Sequence, residues 1–172
     1  MIKDHLEDRK YRKYRILVDD IVENKEFLKL ENIIHHECNR FDHSVRVSYW
    51  SYKVGKMLKL DYEKIARAAL LHDFFFEDNI DANYKTKITT MLKHPEYALE
   101  NSKKYYDLTE LEEDIILTHM FPIVPRLPKY IESWMVDIVD DVVSIYEKTY
   151  VIRKQLSAAT SFIMLFIINY IR

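Results

Sequence analysis

Shortages narrow the chemistry of this 172-residue chain before any motif is considered. It carries a single glycine, Gly55, where average usage would give roughly a dozen. Phosphate-cradling loops, dinucleotide-binding turns and nucleophile elbows all need glycines at fixed spacings, so none can be built here. Hairpin-rich β folds are disfavoured for the same reason, because tight primed turns lean on glycine. With one cysteine, Cys38, the chain can form neither an intrachain disulfide nor a cysteine-based zinc cage, which points to a reducing, cytoplasmic setting. Neither charge dominates: 26 Lys and Arg face 28 Asp and Glu, for a net charge of −2. That balance gives no electrostatic case for a nucleic-acid polymer as partner.

Long apolar runs are also scarce. Met1–Arg15 is charged and lacks the apolar core of a secretory signal. The run Ala158–Ile171 falls short of the roughly 18 residues of a membrane span, so a buried terminal helix or a homodimer face is expected rather than a membrane anchor.

The chain is otherwise ordinary for a globular protein: 48% hydrophobic and 31% charged, with 13 tyrosines and 8 phenylalanines. Its length fits one domain over residues 1–172. Apolar spacing is helical throughout. Helices are expected over parts of Leu6–Leu30, over Ser44–Leu60 with Asp42 as a cap, and over Tyr62–Phe75. Glu77–Thr90 reads as a connection, and His94-Pro95 as a helix start with proline in the first turn. Asp107 or Thr109 could cap a helix through Met120. Phe121–Pro128 holds three of the four prolines and reads as a loop. Glu132–Tyr150 and Val151–Tyr170 read as the last helices. The fold class is all-α, a single helical bundle. Gly55 falls inside a helix, where close packing against a neighbour would explain it.

Chemistry must then come from side chains, and seven histidines stand out. A helical bundle can hold a metal when imidazoles and carboxylates converge from different helices. Two helical metal motifs fail on spacing. No Glu lies three residues before His43, His94 or His119, as a di-iron bundle requires. The zincin pattern fails because Arg40 ends His36-Glu37-Cys38-Asn39-Arg40. The sharp feature is His72-Asp73, which closes the apolar helix segment Ala68-Ala69-Leu70-Leu71. Two polar groups there need a partner to offset desolvation. A metal would serve both, and a carboxylate can bridge two cations where an imidazole cannot.

Three segments in order, Phe41-Asp42-His43-Ser44-Val45-Arg46-Val47, Ala69-Leu70-Leu71-His72-Asp73 and Val136-Asp137-Ile138-Val139-Asp140, resemble the HD-domain metal-dependent phosphohydrolases. The resemblance covers about residues 41–146. It implies His43, His72, Asp73 and Asp140 as metal ligands. Asp140 is preferred to Asp137 and Asp141 because the family places two apolar residues before its last aspartate. His94 and His119 lie in the interval where the two-metal branch adds two histidines. The resemblance therefore implies two divalent transition-metal ions (Fe, Mn, Ni, Co or Zn), with Asp73 as the catalytic carboxylate. It also implies a metal-activated water attacking a nucleotide or another small phosphate ester. His36, Arg40 and Arg46 are candidate substrate contacts. Many relatives carry Lys or Glu four residues after the His of the His-Asp pair, where this chain has Phe76. That departure motivates an alternative, a non-catalytic metal- or nucleotide-binding module of the same type.

Overall fold

A computed structural model describes residues 8–9, 11–35, 38–76 and 87–150. Helices dominate: α1 (Arg12–Val22), α2 (Lys25–Leu28), α3 (Arg40–Leu58), α4 (Tyr62–Leu71), α5 (Lys87–Ser102), α6 (Glu110–Thr118) and α7 (131–150). A 3₁₀ turn covers Lys29–Asn32. The strands β1 (Ile34–His35) and β2 (Cys38–Asn39) pair antiparallel, Ile34 opposite Asn39. All-α is thus the architecture, with one two-residue β pair among the described residues. Among the described residues no helix is long and apolar enough to cross a membrane. The terminal helix expected at Val151–Tyr170 and the candidate contact His36 lie outside the described residues.

Local chemistry sets the helix ends. Asn39, not Asp42, caps α3: its side chain accepts from the Asp42 backbone N–H at 2.7 Å. Its extended backbone at the exit of β2 makes it the free-standing capping residue. Thr109 caps α6 in a full capping box with Glu112. At the end of α3 the left-handed position falls to Lys59, at φ 59°, a place that glycine usually takes. The expected α5 start at His94-Pro95 is wrong. The helix begins at Lys87, and Pro95 lies in its interior.

Helix α3 lies along α4, and the two pack closely at Gly55. A Cβ there would come within 2.8 Å of Ile65 Cδ1. Tyr14, Val18 and Ile21 of α1, Phe41 and Val45 of α3, Ile65 and Leu70 of α4, and Ile115 and Ile116 of α6 form one buried core. Two polar links tie its layers together. The Tyr14 hydroxyl donates to Ser48 Oγ at 2.8 Å, and Ser48 donates to the Ala66 carbonyl at 2.5 Å. Asp114 of α6 accepts from Lys129 N at 2.9 Å and from Ser133 Oγ at 2.7 Å. That carboxylate anchors the first turn of α7 and so fixes where the rest of α7 meets the core.

Candidate metal centre

Five helices deliver the buried polar cluster. His43 comes from α3, His72 and Asp73 from the end of α4, and His94 from α5. His119 comes from the end of α6, and Asp140 from α7. All six side chains are buried.

Three of the imidazoles are held in one manner. His72 Nδ1 donates to the Ala69 carbonyl at 2.7 Å, His94 Nδ1 to the Met91 carbonyl at 2.8 Å, and His119 Nδ1 to the Ile116 carbonyl at 2.8 Å. Each acceptor lies three residues upstream, and each is available for a local reason. His72 and His119 are C-caps, where the last helical carbonyls have no intrahelical donor. In α5 the proline has no N–H, so the Met91 carbonyl loses the partner it would otherwise find at position 95. A carbonyl can only accept, so each Nδ1 carries the hydrogen. In the neutral ring, Nε2 is then left as a lone-pair donor. This is the way metal-ligating histidines are oriented by their outer nitrogen.

The free nitrogens converge. His94 Nε2 and His119 Nε2 are 2.8 Å apart. Asp73 Oδ1 is 3.3 Å from His94 Nε2 and 3.8 Å from His119 Nε2, while Asp73 Oδ2 is 3.8 Å from His72 Nε2. Asp140 Oδ1 lies 3.0 Å from His43 Nε2 and 3.8 Å from His72 Nε2. Three metal-competent triads result: His43-His72-Asp73, His72-His119-Asp140 and Asp73-His94-His119. Asp73 belongs to the first and the third, and its two oxygens face different histidines.

A divalent transition metal fits this donor set. His72 Nε2 is buried without a hydrogen-bond partner, and Asp140 Oδ1 is buried without an aligned donor. Unpartnered buried groups of this kind are costly, and a cation satisfies both. Mixed imidazole and carboxylate ligation suits Fe, Mn, Co, Ni or Zn.

Electrostatics separate the histidines. Burial pushes His119 down to about 3, reinforced by the neighbouring His72 and His94. Burial also lowers His94, against the pull of Asp73. Burial acts in the same direction on His43, but the carboxylates of Asp140 and Glu147 outweigh it and raise its pKa to about 10. His43 is thus an imidazolium wherever a metal does not replace its proton. Burial opposes ionisation of Asp140 too, yet His72 and His43 hold its carboxyl well below the usual range.

Glu147 is the functional residue that sequence reading missed. Its Oε2 accepts from His43 Nδ1 at 3.0 Å, and its other oxygen pairs with Arg46 Nη1. It therefore does for His43 what backbone carbonyls do for the other three rings. Seven residues separate it from Asp140, two helical turns along the same face of α7, which is the signal that could have found it.

The candidate substrate contacts are engaged in the scaffold. Arg40 is buried, donates from Nη1 to the Phe75 carbonyl at 2.8 Å and sits 3.9 Å above the Phe75 ring. That ring stacks on His94, with centroids 5.1 Å apart. Arg46 is bound to Glu147 behind His43. Asn101 Nδ2 donates to the Phe74 carbonyl at 3.1 Å, so the strand of chain after Asp73 is pinned from two sides. Cys38 is half-buried and its thiol is pushed up to about 12, chiefly by burial and then by Glu147, which keeps it an inert thiol. Trp134 is partly exposed on α7.

Among protein families, the model for the HD domain matches residues 40–144. No curated protein and no solved structure gives a significant match.

Proposed function

Because the chain belongs to the HD-domain family, we propose that it is a metal-dependent phosphohydrolase acting on a nucleotide or another small phosphate ester. The supporting observation is Asp73, whose two carboxylate oxygens face separate histidine sets, His72 on one side and His94 with His119 on the other. This arrangement suits a pair of divalent ions held by His43, His72, Asp73, His94, His119 and Asp140, with Asp73 shared. When bound, such ions supply positive charge against phosphoryl oxygens and acidify a water for attack at phosphorus.

The chain's own residues do the rest. Main-chain carbonyls hold three imidazoles with Nε2 inward, and Glu147 holds the fourth. Asp73 and Asp140 bring negative charge that a phosphate would not tolerate unaided. The two nearby guanidiniums are occupied, Arg40 by the Phe75 carbonyl and Arg46 by Glu147. Neutralising a phosphate group therefore falls to the metals. Phe75 and Phe76, both packed against the core, keep water from the flank of the cluster next to Asp73.

A second reading rests on Phe76, which packs edge-on against Phe74 with centroids 5.9 Å apart. It offers no proton donor where many HD proteins carry Lys or Glu, which favours a binding module without turnover. Metal analysis of the purified chain, followed by a panel of phosphomonoesters, phosphodiesters and nucleotides, decides between the two. Hydrolysis lost in Asp73→Ala supports the enzyme. Tight nucleotide binding by the metal-loaded protein without product supports the module.

A further inference from the structure

Arg40 opens α3 one helical turn before His43. Its guanidinium is a full charge on a side chain only 3% exposed, a costly placement unless the group is well engaged. Phe75 engages it twice. Nη1 donates to the Phe75 carbonyl at 2.8 Å, and the guanidinium carbon lies 3.9 Å from the centroid of the Phe75 ring. One side chain thus holds both the main chain and the ring of Phe75. A planar guanidinium can donate along its edge and cover an aromatic face together, which the point charge of a lysine cannot.

Phe75 in turn touches the metal cluster. Its ring stacks on His94, with centroids 5.1 Å apart and planes 28° from parallel. Its backbone N–H donates to the Asp73 carbonyl at 2.8 Å, which closes a tight turn directly after that carboxylate. Asn101, two turns beyond His94 on α5, holds the neighbouring Phe74 carbonyl at 3.1 Å. The turn after Asp73 is therefore fastened to α3 through Arg40, and to α5 through Asn101 and His94.

The hydrogen bond to the Met91 carbonyl decides which His94 nitrogen carries the hydrogen. A single hydrogen bond still lets the ring tilt about that contact. A flat neighbour packed against the imidazole stops the tilt, and it can do so only while it is itself held.

We propose that Arg40 is a positioning residue for the metal centre, acting through Phe75 to fix the plane of the His94 ring and so the aim of its Nε2. This rests on the reading of His94 as a ligand of the ion that Asp73 and His119 also face. It sets the arginine behind a ligand rather than against the substrate.

Titration of the metal-free, full-length protein with Co²⁺, followed by its visible absorption, tests this, together with ¹⁵N NMR of the histidine rings before metal is added. The wild-type protein is expected to take up a pair of ions, and its metal-free His94 to show one tautomer, with hydrogen on Nδ1. Arg40→Met is expected to weaken the ion at His94 and His119 by about tenfold, to leave the ion at His43 and His72 nearly unchanged, and to broaden the His94 ring signals. Arg40→Lys, which keeps the charge without the fork, is expected to recover little. Phe75→Leu carries the same expectation and stands in if Arg40→Met does not fold. The losses in the double variant should fall short of their sum, because both act on one ring. Val18→Ala, in the core on α1, which supplies no ligand, should lower thermal stability and leave both ions in place. Arg40→Met with both ions bound as in wild type and unchanged His94 signals overturns the proposal. Equal weakening of both ions overturns it in favour of general loosening of the fold. A wild-type protein that takes up no metal refutes the metal-dependent reading instead, and the His94 signals of the metal-free variants then decide whether Arg40 holds the ring.

Discussion

His94 and His119 meet Nε2 to Nε2 at 2.8 Å while the Nδ1 of each is held by a main-chain carbonyl. Two lone pairs facing one another at that separation repel unless a proton or a cation lies close by. The low pKa of His119, about 3, makes a proton a poor answer near neutrality. The pair is thus a strong local demand for a metal, and several measurable consequences follow from how it is held.

Pro95 is the first lever. Pro95→Ala restores an N–H that competes with His94 for the Met91 carbonyl. Removing an interior proline is expected to stabilise α5 by up to about 3 kcal/mol. Freeing the His94 ring is expected to weaken metal binding by about tenfold. Thermal unfolding and a metal titration of the same variant should therefore move in opposite directions. Parallel movement would show that the carbonyl does not orient the ring.

Glu147 is the second. Glu147→Gln leaves His43 with a weaker partner and Arg46 without its carboxylate. Loss of an outer partner of this kind typically costs 10–100-fold in metal affinity, and about that much is expected. Glu147→Ala, which strands both cationic groups in a buried setting, is expected to cost about 3 kcal/mol of stability as well. Urea denaturation and competitive chelation separate the two effects.

Acidity gives the third. His43 in the folded, metal-free protein has a pKa near 10, raised from 6.5. It is charged at pH 8, so a metal taking Nε2 must expel that proton. His94 and His119 are shifted downward and have none to give there. Calorimetric titration at pH 8 in two buffers of different ionisation heat should register about one proton released at His43 per chain. Metal affinity should rise with pH toward 10. The sign for stability runs the other way. The metal-free fold draws support from charged His43 that is fully present below pH 6.5 and is lost as pH rises through about 10. Release of no proton would refute the assignment of His43 as a ligand.

Lys59 gives the fourth. It occupies a left-handed position at φ 59° that glycine adopts without strain. Lys59→Gly should stabilise the protein by about 0.5–1 kcal/mol after allowing for the greater freedom of glycine in the unfolded chain. Chemical denaturation reads this directly, and metal content should not change.

Much of this arrangement was legible in the residues themselves. Helical spacing identified the elements that carry His43, His72, His119 and Asp140, and Thr109 was one of the two residues expected to cap α6, Asp107 being the other. Proline misled at α5, since a Pro after a His looks like a helix start. Only tertiary packing shows that the break in the ladder is filled by an imidazole. Asn39 displaced Asp42 as a cap because the short strand before it, invisible in so polar a stretch, sets its extended backbone. Arg40 looked free to meet a substrate, yet the aromatic run after Asp73 folds back over α3 and supplies it with both a carbonyl and a ring face. Glu147 shares a face of α7 with Asp140, a spacing that hints at it, but its pairing with His43 depends on the register of α7 against α3.

The groups that set the tautomers of His72, His94 and His119 are the peptide carbonyls of Ala69, Met91 and Ile116. Peptide carbonyls are common to all residue types, so substitution at those three positions leaves the acceptors in place. Three quarters of the imidazole scaffold is therefore shielded from mutation at the accepting residues. The hydrogen-bond supports that do depend on residue type are the carboxylate of Glu147 beneath His43 and the missing N–H of Pro95 that leaves the Met91 carbonyl to His94, and divergence should be tolerated at the other supports of this kind sooner than at these two.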